Sequence, residues 1–141
     1  MKTYSGFRLP LVGARVIIEG DGKARMLPLR LDLRGHSPTG VEWGYGGSGP
    51  AQLALALLAD ATGDEIYAVA RYVDYKDEVV ARMPSGPGAI PTGQVWTLSQ
   101  AEIQAWAAAN PCSEADREWV RAELEEKREY IMQRERDARP S

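Results

Sequence analysis

Between His36 and Ala51 the chain reads His-Ser-Pro-Thr-Gly-Val-Glu-Trp-Gly-Tyr-Gly-Gly-Ser-Gly-Pro-Ala, and most of the side chains suited to chemistry are gathered there. Glycines at 40, 44, 46, 47 and 49 let the backbone take positive φ values and approach another molecule closely. Ser48, Gly49 and Ala51 fall where a helix should begin, so their amides would face outward with the positive end of the helix dipole behind them. An anionic or nucleotide-like ligand suits that chemistry: Trp43 and Tyr45 would stack on a base, Arg34 or His36 would meet a phosphate, and Glu42 would orient a hydroxyl. The candidate ligand-binding set is therefore Arg34, His36, Glu42, Trp43, Gly44, Tyr45, Gly46, Gly47, Ser48 and Gly49.

Each of these residues also has a purely structural reading. Glycine, serine and proline recur wherever a chain turns sharply into a helix, and Trp and Tyr are more often core than cofactor contacts. Glu42 can cap loop amides, and a lone His36 beside Ser37 and Pro38 fits a turn. The segment lacks the Gly-Lys-Ser/Thr ending of a phosphate-binding loop and the spacing of a dinucleotide fold. Ser37, Thr39 and Ser48 sit in no nucleophile elbow. No catalytic residue is assigned, and binding is expected ahead of catalysis. A phosphodiesterase-like use of His36 and Glu42 as acid and base is the third reading.

Composition narrows the partners. A formal charge of −3 gives no broad positive field, so strong nucleic-acid binding is not expected. One cysteine, Cys112, and one histidine exclude an intrachain disulfide and make a metal site improbable, and no cofactor is implied. No segment reaches the roughly 20 apolar residues needed to span a bilayer, so no membrane role is expected and the cytoplasm is the default location.

The elements that must hold the glycine-rich segment are legible on either side of it. Thr3 to Asp32 reads as strands, with Asp21-Gly22 as a hairpin turn between Val16–Glu19 and Ala24–Leu33. Pro50 suits a first helical position, and Ala51 to Thr62 reads as a buried helix stopped by Gly63. Asp64 caps a second helix to about Arg82, with Ile66, Val69, Val73, Val80 and Met83 at helical spacing. After the Pro84–Gly93 loop, Val95 to Leu98 adds a short strand, and Ser99 with Glu102 opens a third helix carrying Ile103 and Trp106. From Ser113 a fourth helix follows, with Trp119, Val120, Leu124 and Ile131 as a narrow apolar stripe and a solvated Glu/Lys/Arg end. The expected fold is α+β: an N-terminal antiparallel sheet packed against three helices, with a projecting charged C-terminal helix. The domain should span 1–110, including the Gly-rich loop 35–50, with 111–141 as a helical extension.

The run from Ser37 to Ala54, SPTGVEWGYGGSGPAQLA, resembles the signature of an uncharacterised domain family found in bacterial, prophage and phage reading frames. The likeness extends to Tyr75-Lys76 and to Trp96–Ser99 with Ile103 and Trp106, so it covers most of residues 1–110. Val41 stands where the pattern would place an aromatic residue. The resemblance implies no activity, but its phage association suggests host and virus conflict. The alternative to a ligand-binding protein is thus a protein interaction factor, such as a phage-encoded inhibitor of a CRISPR-type or nucleotide-signalling defence complex. Such a factor would contact the host defence protein through the loop aromatics or the helix from Ser113.

Overall fold

Four short strands, the longest two rich in β-branched and aromatic residues, form one antiparallel sheet in the order β3-β2-β1-β4 in the computed structural model, which describes residues 1–140. They are β1 (Thr3–Leu9), β2 (Gly13–Gly20), β3 (Lys23–Met26) and β4 (Gln94–Ser99). The Asp21-Gly22 turn joins β2 to β3, both residues at positive φ. The third strand is shorter than its sequence suggests, because Pro28 has no N–H to continue the ladder.

One sheet face carries Tyr4, Val16, Ile18 and Trp96 into the core. Over Gly6 the two strands beside it leave room for an indole: a Cβ there would come within 2.3 Å of the Trp96 ring. This glycine is required by close approach, since no side chain and Trp96 can share the space.

The α1 helix (Ser48–Thr62) is buried from Pro50 to Ala59. It begins two residues before Pro50, because a proline in the first turn gives up only an amide that has no helical acceptor. Gly63 ends it in the left-handed conformation, donating back to the Ala59 carbonyl. Around it lie α2 (Glu65–Glu78), α3 (Gln100–Ala109) and the sheet. Asp64, Ser99 and Ser113 each accept an amide hydrogen bond as N-caps of α2, α3 and α4 (Glu114–Ala138).

Two apolar stripes differ from the sequence reading. On α2 the buried face is Tyr67, Ala68, Val69, Tyr72 and Tyr75, while Val73 points to solvent and the helix gives way to a single tight turn at Val80–Arg82. The tyrosines win the inner face because they bury large rings and two of them also bond through their hydroxyls, Tyr67 to the carbonyls of Ala107 and Asn110 and Tyr72 with His36 Nε2, while Tyr75 packs edge-on against Trp106. On α4 only Val120 and Leu124 are buried, and Trp119 is 76% exposed. The part of α4 up to Arg128 is held against the body by Arg117–Asp64, Arg34–Glu123 and Arg128–Glu65 ion pairs. From Glu129 onward the described residues of α4 are exposed, so the charged end projects.

A half-buried carboxylate ties the sheet to α1. Asp60 accepts from Tyr4 Oη at 2.6 Å, Lys2 Nζ at 3.2 Å and Arg25 Nη2 at 3.1 Å. Burial raises its pKa, and the three donors outweigh that effect, holding it below the usual carboxylate value.

Candidate functional site

The glycine-rich segment divides at Gly44. In the first half, the side chain of Gln52, fully buried on α1, acts as a clamp. Its Oε1 accepts from the amides of His36 (2.8 Å) and Ser37 (3.1 Å), and its Nε2 donates to the carbonyls of Leu29 (2.6 Å) and Arg34 (3.1 Å). All of its hydrogen-bonding capacity is spent on the backbone entering the segment. His36 is itself exposed but its Nε2 lies 2.6 Å from Tyr72 Oη, and Arg34 reaches Glu123 at 2.7 Å.

Trp43 then turns inward and is wholly buried, meeting Trp96 edge to face with ring centroids 5.4 Å apart. It is therefore not placed to stack on an outside base without leaving the core. Gly44 follows at φ +85, its amide donating to the Val80 carbonyl, with Ser85 so near that a Cβ would lie 2.9 Å from it. The indole N–H groups of Trp43 and Trp96 have no hydrogen-bond partner among the described residues.

Arg8, at the end of β1, joins the loops. Its guanidinium lies 4.5 Å above the Trp43 ring, pairs with Glu42, and donates through Nε to the Ser85 carbonyl. The ion pair brings Nη1 to 2.9 Å from Glu42 Oε1 and 3.2 Å from Oε2, with only the latter aligned as a hydrogen bond. Arg8 N also donates to the Gly93 carbonyl. Because β1 runs antiparallel to both neighbours, the β1–β2 turn and the loop before β4 leave the sheet at the same end, and Arg8 adds the glycine-rich segment to them.

The second half is open. Tyr45 is 52% exposed, with its ring lying against Gly47, and no side chain caps the start of α1. Gly46 has nothing within contact distance of a Cβ, and Ser48 is exposed. Gly49 is packed on Glu42, whose Cβ would be 2.7 Å from a Cβ at that position. The Glu42 backbone and side chain thus sit beside the helix start, placing a negative charge near the positive end of the dipole.

Beyond the sequence candidates, the same end of the sheet displays Leu9, Leu11, Val12 and Ile90, with Leu11 and Ile90 almost fully solvent-exposed. In the turn Leu9-Pro10-Leu11-Val12, closed by Val12 N to the Leu9 carbonyl, Leu11 takes φ +65. Glycine is favoured at this position after proline in a tight turn. Charge is sparse in both connections: Arg8 and Arg15 are the only charged residues in 3–18, and 83–98 has none. Composition was a usable signal here, and so was Gln52 as the single polar break in the apolar run from Ala51 to Ala59.

The chain belongs to a family of unknown function (DUF6166), whose model matches residues 4–109. The match ends just before Asn110-Pro111, so α4 lies outside it. No curated protein and no solved structure matches the chain. Among the described residues, no helix is long and apolar enough to cross a membrane.

Proposed function

We propose that this family member is a protein interaction factor that meets its partner with the loop end of its sheet. Leu11 carries the reading. A leucine held at positive φ and open to solvent contributes nothing to the core and costs backbone strain of about 1 kcal/mol or more. A displayed apolar anchor is the use that accounts for it. Ile90, Val12 and Tyr45 extend the anchor into a surface with apolar and aromatic contacts, the composition favoured at the centres of interfaces. Arg8 locks the three connections together, so the surface is presented preformed and little ordering entropy is lost on contact.

The resemblance to phage and prophage domains makes a bacterial defence complex, CRISPR-type or nucleotide-signalling, the first partner class to try, encountered in the cytoplasm of an infected cell. The test is co-purification from cells that carry the chain, comparing the wild type with a Leu11→Asp/Ile90→Asp variant of matched melting temperature. A stoichiometric partner recovered only with the wild type is the expected result. Equal recovery by both would remove the loop end from the contact.

A second reading rests on the uncapped start of α1, where Gly46–Gly49 with the Tyr45 ring alongside would hold an anionic or nucleotide-like ligand. Glu42 beside the same helix start opposes it, since an arriving anion meets a carboxylate only partly neutralised by Arg8. A rise in melting temperature with a nucleotide panel would favour this reading, because ligand bound to the folded state stabilises it. No shift would leave the interaction reading alone.

A further inference from the structure

Beside the free edge of β2 lies a half-open apolar cavity of about 180 Å³. Its origin is a shortfall of strand. After Met26 the third strand makes one more bond, from Leu27 N to the Val16 carbonyl, and leaves the sheet at Pro28. Ala14, two residues before Val16, projects its carbonyl to the same side with no strand to meet it. The guanidinium of Arg15 folds back and donates to that carbonyl at 2.7 Å. Ala14, Val16, Leu27, Leu29 and Val41 wall the space, and Arg15 is the only charged residue that lines it.

We infer that this cavity is a binding site for a small planar apolar ligand bearing one acidic group, such as an aromatic carboxylate. Size sets the body of the ligand: an apolar cavity of roughly 150 Å³ accepts a benzene ring. Charge sets its end. Arg15 has no carboxylate partner among the described residues, and of the arginines without one it alone lines the cavity, since Arg82, Arg121, Arg134, Arg136 and Arg139 lie elsewhere. The neutral contact with Ala14 leaves Nη2 and Nε of Arg15 to meet a carboxylate as a forked pair. Val41 sets the depth, since a phenyl ring at that position would occupy the space. The inference is independent of the partner contact, because it uses only the walls of the cavity.

Phenylacetate and indole-3-acetate are the probes, with toluene and indole as neutral counterparts. Binding is followed by amide chemical shifts of the full chain, titrated to about 10 mM, where even a weak site of millimolar Kd is filled. Both acids should shift the amides of Ala14, Leu27 and Val41. Arg15→Gln should weaken the acids about threefold to fivefold, the range of a partly exposed ion pair, and leave the neutral rings unchanged. Val41→Phe should abolish all four responses. The inference is overturned if no probe moves these amides. Equal affinity of wild type and Arg15→Gln for the acids also overturns it, and that variant alters only a half-exposed side chain should Val41→Phe fold poorly.

Discussion

The two halves of the glycine-rich segment are continuous in sequence and opposite in environment. From His36 to Gly44 the backbone is bound by Gln52 and Val80, and both Val41 and Trp43 are buried. From Tyr45 to Gly49 the chain is uncapped by side chains and half-exposed or more at its aromatic ring. Glycine is denser in the open half, three of five residues against two of nine, but glycines at 40 and 44 lie in the closed half too, so glycine alone does not set the environment. The difference comes from residues distant in sequence: Gln52 on α1, Trp96 on β4, and Arg8 on β1.

The most direct way to break the comparison is to empty the closed half. Trp43→Ala should cost about 3–5 kcal/mol in chemical denaturation, because a fully buried indole leaves a cavity against Trp96. A loss under 1 kcal/mol would show that Trp43 is not the anchor. Gln52→Leu keeps the volume but strands two amides and two carbonyls, so a loss of about 2–4 kcal/mol is expected, with faster hydrogen exchange at His36 and Ser37. Gly44→Ala faces both positive φ and the Ser85 contact and should cost about 1–2 kcal/mol, while Gly46→Ala, in open space, should stay within about 0.5 kcal/mol. Equal effects of the two glycine substitutions would erase the distinction.

Smaller effects sharpen the picture of the open surface. Leu11→Gly should stabilise the protein by about 0.5–1 kcal/mol, by relieving the positive φ, and at the same time weaken partner binding. A destabilised Leu11→Gly would mean that the leucine serves the fold. Acid provides a check on the frame itself. Asp60 has a folded pKa below its unfolded one, so its contribution is present above the unfolded value and fades as pH falls through the folded one. Asp60→Asn should therefore flatten the loss of stability between about pH 5 and pH 2, measured by denaturant midpoint.

How much of this was legible in the sequence depends on whether a signal was local. The hairpin at Asp21-Gly22, the caps at Asp64, Ser99 and Ser113, and the stop at Gly63 are short-range chemistry, and each stands where the sequence places it. The inner face of α2 was misread because aliphatic spacing favours Val73, whereas Tyr67, Tyr72 and Tyr75 supply area and the first two also hydrogen bonds. The exposure of Trp119 was equally hidden, since the buried face of α4 follows Val120 and Leu124, one turn apart, and Trp119 lies off that line. For the candidate site, sequence located the glycine-rich segment but could not say which amides the protein itself would engage. Gln52, Arg8 and the turn at Leu11 act across the fold, and nothing beside them in the chain announces the pairing.

The claim that the loop end is the working surface is tested most directly by hydrogen exchange on the protein, free and in complex with its co-purified partner. Protection gained together in residues 9–13, 45–49 and 87–93 is the expected result. Protection confined to the helix from Glu114 to Ala138, with those three connections exchanging as in the free protein, would contradict it.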